Sequence, residues 1–245
     1  MYRFRITTRD DKSFLVTGEE LHHLIHVLRL EPGDKVVGFD NSGRQLLGVI
    51  ESLQKDSAHC KIIEEESPEV EARTKVYLVM GLAKGEKMEW VIQKGTELGM
   101  AGFIPLRTKR SIVQLEGKKA QERVVRWQRI ASEAVKQSRR VIEPKIMNVS
   151  DWKDLIDILP QGTQWLILYE DEKTKSLRDT LAGFVPDYPL AILIGPEGGF
   201  SAEEIKWACA SLKAASVSLG PRILRTETAA LAALTIVLAN YGDLG

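Results

Sequence analysis

Five consecutive apolar residues, Leu190-Ala191-Ile192-Leu193-Ile194, stop at Gly195-Pro196-Glu197-Gly198-Gly199-Phe200. An unbroken apolar run of this length has no polar face to turn toward water. It therefore reads as a strand covered on both sides, which is the setting of a parallel sheet between two layers of helices. Ser201 followed three residues later by Glu204 is a capping-box pattern, predicting a helix with Ile205, Ala208, Cys209 and Leu212 on one face. The glycine loop then lies between a strand's C-terminal end and a helix N-terminus. Open α/β sheets hold ligands there, because unpaired backbone N–H groups meet the crevice beyond the strand ends. The pattern repeats at once: an apolar run at 215–219, the loop Gly220-Pro221-Arg222-Ile223-Leu224-Arg225, and a helix over 226–241 whose small side chains permit close backbone approach.

The rest of the C-terminal two-thirds fits the same plan. Strands are predicted at 75–80, 102–106, 144–149 and 165–169, and helices at 87–98, 118–138, 150–159 and near Leu177. Such alternation argues for an α/β fold with a mostly parallel sheet. The first 70 residues differ. Tyr2 to Ile6 alternates, Thr17 with Glu20 suggests a capped helix carrying His22, His23, Ile25, His26, Leu28 and Arg29, and strand-like runs follow at 35–40, 44–53 and 57–64, which suggests a small barrel. The charged, proline-containing stretch 64–71 reads as a linker, giving domains at 1–72 and 73–245.

Several classes are excluded. No apolar run approaches the roughly 18 residues that a membrane span requires, and the N-terminus has no signal-peptide core, so a cytoplasmic protein is expected. The two cysteines, Cys60 and Cys209, form no metal or disulfide pattern. His22 and His26 stand one helical turn apart, but no neighbouring carboxylate or thiol completes a site, and no metal is expected. There is no G-x-G-x-x-G and no G-x-x-x-x-G-K-[ST], which disfavours a nucleotide-dependent oxidoreductase. The chain as a whole balances 34 basic against 34 acidic residues, yet residues 107–140 carry eleven Lys or Arg against three Glu. On a helix over 118–138, Val124, Trp127, Ile130, Ala131, Ala134 and Val135 would form one stripe, with Arg126, Arg129, Lys136 and Arg140 opposite. Continuation of that charge into Arg107-Thr108-Lys109-Arg110 and Arg139-Arg140 points to contact with a phosphate backbone.

The motifs Gly195-Pro196-Glu197-Gly198-Gly199-Phe200 and Leu219-Gly220-Pro221-Arg222-Ile223-Leu224-Arg225-Thr226-Glu227-Thr228-Ala229 closely resemble those of SPOUT methyltransferases, specifically the ribosomal RNA small subunit methyltransferase E family. The resemblance extends through Val27-Leu28-Arg29, Lys94-Gly95-Thr96-Glu97-Leu98-Gly99 and Glu133-Ala134-Val135-Lys136-Gln137-Ser138-Arg139. It implies a C-terminal SPOUT-type domain with a deep trefoil knot and an N-terminal PUA-like β-barrel. It further implies S-adenosylmethionine as cofactor, held by Leu168, Tyr169, Glu170, Ile194, Gly195, Pro196, Glu197, Gly198, Gly199, Leu219, Gly220, Arg222, Ile223, Leu224, Arg225 and Thr226. The expected reaction is methylation of N3 of a uridine in 16S ribosomal RNA, on free RNA or the small ribosomal subunit. Arg225, then Arg222, are the candidates for stabilising the anion, while Glu197 either accepts a proton, stays near the sulfonium or holds its own loop. RNA is expected at Arg29, Arg110, Arg126, Arg129, Arg139 and Arg140. A homodimer through the 226–241 helix is expected as well, because that helix has almost no polar face. A noncatalytic RNA-binding assembly factor on the same scaffold is the alternative.

Overall fold

The computed structural model describes residues 1–185 and 187–244. The chain forms two compact units. One comprises Met1–Glu71 together with Val135–Glu143; the other comprises Ala72–Ala134 and Pro144–Gly245. The first unit is thus discontinuous, where the sequence alone suggested a single cut near residue 72.

In the first unit, strands β1 (Tyr2–Arg5), β2 (Thr8–Arg9), β3 (Ser13–Thr17), β4 (Lys35–Phe39), β5 (Gln45–Leu53) and β6 (Ser57–Glu66) form one sheet in the order β1-β4-β5-β6-β3-β2. The β1–β4 pair is parallel and the others antiparallel. The sheet curls strongly. Strands β3 and β4 are three places apart, roughly 14 Å in a flat sheet, yet a Cβ on Gly38 would lie 3.1 Å from the Phe14 ring and one on Gly48 only 2.6 Å from it. Two register shifts in the β5–β6 pair help it bend. Phe4, Phe14, Val36, Leu46, Ile50 and Cys60 fill the interior with Leu21 and Leu24. Leu21 comes from α1 (Gly18–His22), and Leu24 from the π-helical turn that continues it, His23–Val27. The helix starts directly after Thr17, as its spacing predicts, but the Thr17 side chain makes no capping bond, and Glu20 accepts from Lys136 Nζ at 3.0 Å.

The second unit contains β7 (Val76–Gly81), β8 (Gly102–Leu106), β9 (Lys145–Ile146), β10 (Gln164–Leu168), β11 (Leu190–Ile194) and β12 (Ala215–Val217), all parallel in the order β12-β10-β11-β7-β8-β9. Helices α2 (Lys87–Leu98), α3 (Gly117–Ser138), α4 (Leu155–Ile158), α5 (Leu177–Leu181) and α6 (Ala202–Ser211) connect them, and α7 (Thr226–Asn240) follows the last strand. Strand β11 sits in the middle with all five side chains buried. Leu190, Ile192 and Ile194 join the core that contains residues of α2 and α7. Ala191 and Leu193 join the opposite core, which includes Ala208 of α6 and Leu155 of α4. Burial of each large side chain is worth roughly 1.5–3 kcal/mol. The capping box at Ser201 forms as its sequence spacing requires, Ser201 N–H donating to Glu204 Oε2 at 2.7 Å and Glu204 N–H donating to Ser201 Oγ at 3.3 Å. The helix expected over 150–159 starts later, because Ser150 pairs with the end of β8: its N–H donates to Pro105 O, and its carbonyl accepts from Arg107 N–H. A 3-10 turn, Trp152–Asp154, and the short α4 remain.

Candidate cofactor and RNA site

The loops following β10, β11 and β12 converge beyond the strand ends and enclose a cavity of about 520 Å³. All sixteen residues named from the sequence as cofactor-binding line it, from Leu168 to Thr226. Pro221, within the third of those loops, lines it too, as do Lys87, Val217, Ser218 and Ala229, which lie outside the loops named from the sequence. The size suits a small-molecule ligand.

Close backbone packing shapes the cavity. Gly199 N–H donates to Pro196 O at 2.9 Å, closing a tight turn. A Cβ on Gly195 would fall 3.0 Å from the Gly199 Cα and carbonyl carbon, and one on Gly199, whose φ is +67°, would fall 2.8 Å from the Glu170 carboxylate. The loops are also tied to one another. Thr226 Oγ1 at the start of α7 donates to Gly195 O at 2.5 Å, Tyr169 N–H donates to Val217 O at 3.1 Å, and Arg110 donates to Gly198 O at 2.8 Å. Glu204, buried, receives Lys109 N–H at 2.8 Å and Trp152 Nε1 at 3.0 Å, so the segment after β8 is latched to the start of α6.

The candidate reactive groups separate into two kinds. Arg222 and Arg225 line the cavity with exposed side chains, and neither guanidinium has an ion pair among the described residues. Glu197 is held: its Oε1 accepts from Lys87 Nζ at 2.8 Å and from Lys84 N–H at 3.0 Å. Burial pushes its carboxyl up, but the Lys87 ammonium and the backbone N–H groups of Glu197 and Lys84 outweigh this and leave it below the usual carboxylate range. A carboxylate so stabilised is a weak base. Of the roles considered for Glu197, holding the loop is the one its contacts fit.

The basic residues part company as well. Arg29, Arg110, Arg126, Arg129 and Arg139 are exposed, although Arg126 and Arg123 share Glu89, at 2.7 and 3.0 Å. Arg140 overturns its expected role. It is 4% exposed and donates through Nε and an Nη to Glu71 Oε2 at 3.0 and 2.7 Å, so it is a buried structural cation that cannot reach phosphate. Lys136 likewise is engaged by Glu20 rather than displayed. Glu71, read from sequence as linker, is the group that requires Arg140. The 226–241 helix also differs from expectation. Ala230, Ala233, Leu234, Val237 and Leu238 are buried within their own unit, while Thr228, Thr235, Ile236 and Ala239 face outward. Ala233 is therefore a core residue.

Among the described residues no helix is long and apolar enough to cross a membrane, and no group of three or more His, Cys, Asp or Glu side chains could hold a metal. His22 and His26 lie ring against ring at 4.7 Å.

The curled β unit and the parallel α/β unit with its cavity correspond to the two parts of an RNA methyltransferase that carries a PUA domain. Residues 70–238 match the RNA methyltransferase domain family and residues 16–63 the RNA methyltransferase PUA domain family. The chain is 38% identical to ribosomal RNA small subunit methyltransferase E of Bacillus subtilis, over 92% of this chain and 89% of that one. It is 32% identical to the Mesomycoplasma hyopneumoniae protein of the same name, over 96% and 98%. A crystal structure of the Neisseria gonorrhoeae ribosomal RNA small subunit methyltransferase E bound to S-adenosyl methionine superposes with a TM-score of 0.83 at 29% identity, covering 96% of this chain and 95% of that one. This chain belongs to the ribosomal RNA small subunit methyltransferase E family.

Proposed function

We propose that this protein is a cytoplasmic enzyme that transfers a methyl group from S-adenosylmethionine to N3 of a uridine in 16S ribosomal RNA, working as a homodimer. The observation that carries the reading is the glycine-walled cavity at the ends of β10, β11 and β12 with two unpaired guanidiniums on its lining. The residues fit the cofactor. Leu168, Ile194, Leu219 and Leu224 offer apolar surface to an adenine, adjacent backbone groups can read its edge, and Gly195, Gly198 and Gly199 let the backbone approach without side chains in the way. When bound, S-adenosylmethionine supplies a methyl group on a positively charged sulfur that leaves as a neutral thioether. The deep knot implied by the family belongs to this reading; the bond from Thr226 to Gly195, 31 positions apart, supports it by tying the last loop to the preceding one.

Uridine N3 bears a weakly acidic imide proton, which must pass to water before nitrogen can attack carbon. Arg225 and Arg222 would stabilise the negative charge that spreads over N3 and its flanking carbonyl oxygens. Holding the base in line with the methyl supplies much of the remaining acceleration. Arg110 at the cavity rim and Arg29, Arg126 and Arg129 on exposed surfaces would bind RNA phosphates, whose contacts position the strand and carry no sequence information. The outward face of α7, with Ile236 at 38% exposure, together with Ile223 at 89%, supplies the apolar surface for a second copy.

Mass mapping of methylated nucleotides in 16S ribosomal RNA from cells lacking the protein tests the proposal. A 3-methyluridine should vanish and return with the wild-type gene. Loss of subunit assembly with every 16S methylation intact would instead favour the noncatalytic assembly factor.

A further inference from the structure

The first unit has a hollow of its own, about 300 Å³, lined by Arg3 of β1, His23 of the π-helical turn and Lys136, Gln137 and Arg139 from the end of α3 and the turn after it. No carboxylate lines it. Lys136 is already balanced by Glu20 at 3.0 Å, but among the described residues no carboxylate pairs with Arg3 or Arg139. Arg3 is fixed rather than displayed. Its two Nη atoms donate to Gln45 Oε1 at 2.7 Å and to the Arg140 carbonyl at 3.1 Å, and its guanidinium lies 5.5 Å from the centre of the Phe39 ring. Its Nε is buried without a hydrogen-bond partner. Arg139 is held at a φ of +63°, a conformation that costs a non-glycine residue roughly 1–2 kcal/mol. Two like charges are thus gathered on one wall by fixed backbone and packing. Burial first, and the neighbouring Arg139 charge second, pull the Arg3 guanidinium below its ordinary value.

We propose that this hollow is a phosphate site that receives a phosphodiester of the RNA backbone, held between Arg3 and Arg139 with the Gln137 amide beside it. The choice of RNA as the source of the phosphate rests on the methyltransferase reading. The role would be anchoring: a contact of this kind fixes the RNA on the unit and leaves the choice of nucleotide to the cavity beyond the strand ends.

Two variants test it with the full-length protein. Arg139→Asn removes the charge while keeping a residue that tolerates positive φ, and Gln137→Glu places an anion in the hollow from an exposed helical position. The probe is a fluorescein-labelled single-stranded oligoribonucleotide, followed by anisotropy across a salt series. Both variants should bind it several-fold more weakly at low salt, and Arg139→Asn should lower the slope of log affinity against log salt by about 0.7, the value for one phosphate on a single strand. S-adenosylmethionine affinity and melting temperature should stay at the wild-type values. Inorganic phosphate at fixed ionic strength should compete only weakly; if it displaces the RNA completely at micromolar concentration, the site serves a free anion and the RNA assignment falls. RNA affinity and slope unchanged in both variants, or a wild-type protein that does not bind the oligonucleotide, overturns the proposal. The two readings separate cleanly. Loss of RNA affinity in the variants of a protein that methylates no ribosomal RNA keeps the hollow and discards the enzyme; methyl transfer with unchanged KM in both variants does the reverse.

Discussion

Replacing Gly195 by alanine isolates the packing of the glycine loop. Gly195 has no positive φ, so an added methyl introduces no backbone strain, and whatever follows comes from contact. That methyl would lie 3.0 Å from the Gly199 Cα and carbonyl carbon and 3.1 Å from the Phe200 nitrogen, where ordinary contact is 3.4–4 Å. All three are main-chain atoms and cannot swing aside as a side-chain tip can. The 196–199 turn must therefore move outward by several tenths of an ångström, and the Gly195 carbonyl, which receives Thr226 Oγ1, must move with it. Overpacking of this type costs about 1–3 kcal/mol. If the free protein absorbs the strain, its melting temperature falls by about 2–4 °C per kcal/mol for a chain of this size. If the turn is displaced and cofactor binding restores it, the same energy appears as a loss of about 5- to 150-fold in affinity, at 1.4 kcal/mol per tenfold. Titration calorimetry with S-adenosylmethionine and a thermal melt together capture both. Gly220→Ala is the comparison: open space surrounds that position, at a φ of +108°, so it reports backbone strain without a clash. A Gly195→Ala protein with wild-type melting temperature and affinity within twofold would refute the close loop packing and the cavity built on it.

Arg222→Ala and Arg225→Ala should each lower kcat, the second by about 10²–10³, while exposed positions of this kind leave stability within about 0.5 kcal/mol; single-turnover methyl transfer beside a melt checks both. Arg140→Met should destabilise by about 1–3 kcal/mol in urea, since it leaves the half-buried Glu71 carboxylate without its cation, with part recovered in the Arg140→Met/Glu71→Leu double variant. Burial raises the Glu71 carboxyl, but the Arg140 bond and charge and the Val141 and Ile142 N–H groups outweigh it and lower the pKa. Its stabilisation is accordingly complete above the unfolded value of about 4.3 and fades as pH falls through the lower folded value, so Glu71→Gln should flatten that part of the acid limb of stability. Ile236→Glu should shift sedimentation toward monomer with the melt of the monomer preserved, because its side chain faces outward, and an unchanged dimer would move the interface elsewhere.

What the sequence made legible follows the distance over which each signal acts. The run 190–194 declares its burial by having no polar residue, and the Ser201–Glu204 box declares a helix start three residues apart; both formed where spacing put them. The same spacing at Thr17 and Glu20 also marks a helix start, but without the box: the Thr17 side chain makes no capping bond, and Glu20 accepts from Lys136, 116 positions away. Strands β2 and β3 were missed, since Thr8–Arg9 and Ser13–Thr17 are short and make sense only against each other and β6. Residues that line the cavity on the loops after β11 and β12 were readable through their motifs. Lys87 was not, because its meaning lies in Glu197, 110 positions on. Arg140 was misread for the same reason: charge in sequence looks like surface until its buried partner is known.

The discontinuous first unit has a consequence for how the chain must be made. Phe39 packs on Val135 and Val141, Arg140 closes on Glu71, and Glu143 N–H reaches Asn41 at 2.9 Å. None of these contacts exists until translation has passed residue 143. A ribosome that has released the first 71 residues has released six strands without the segment that seals them, so the amino-terminal unit must wait, partly unsealed, through the synthesis of Ala72–Ala134, more than a third of the other one. Cutting the gene after residue 71 would leave it in that waiting state permanently.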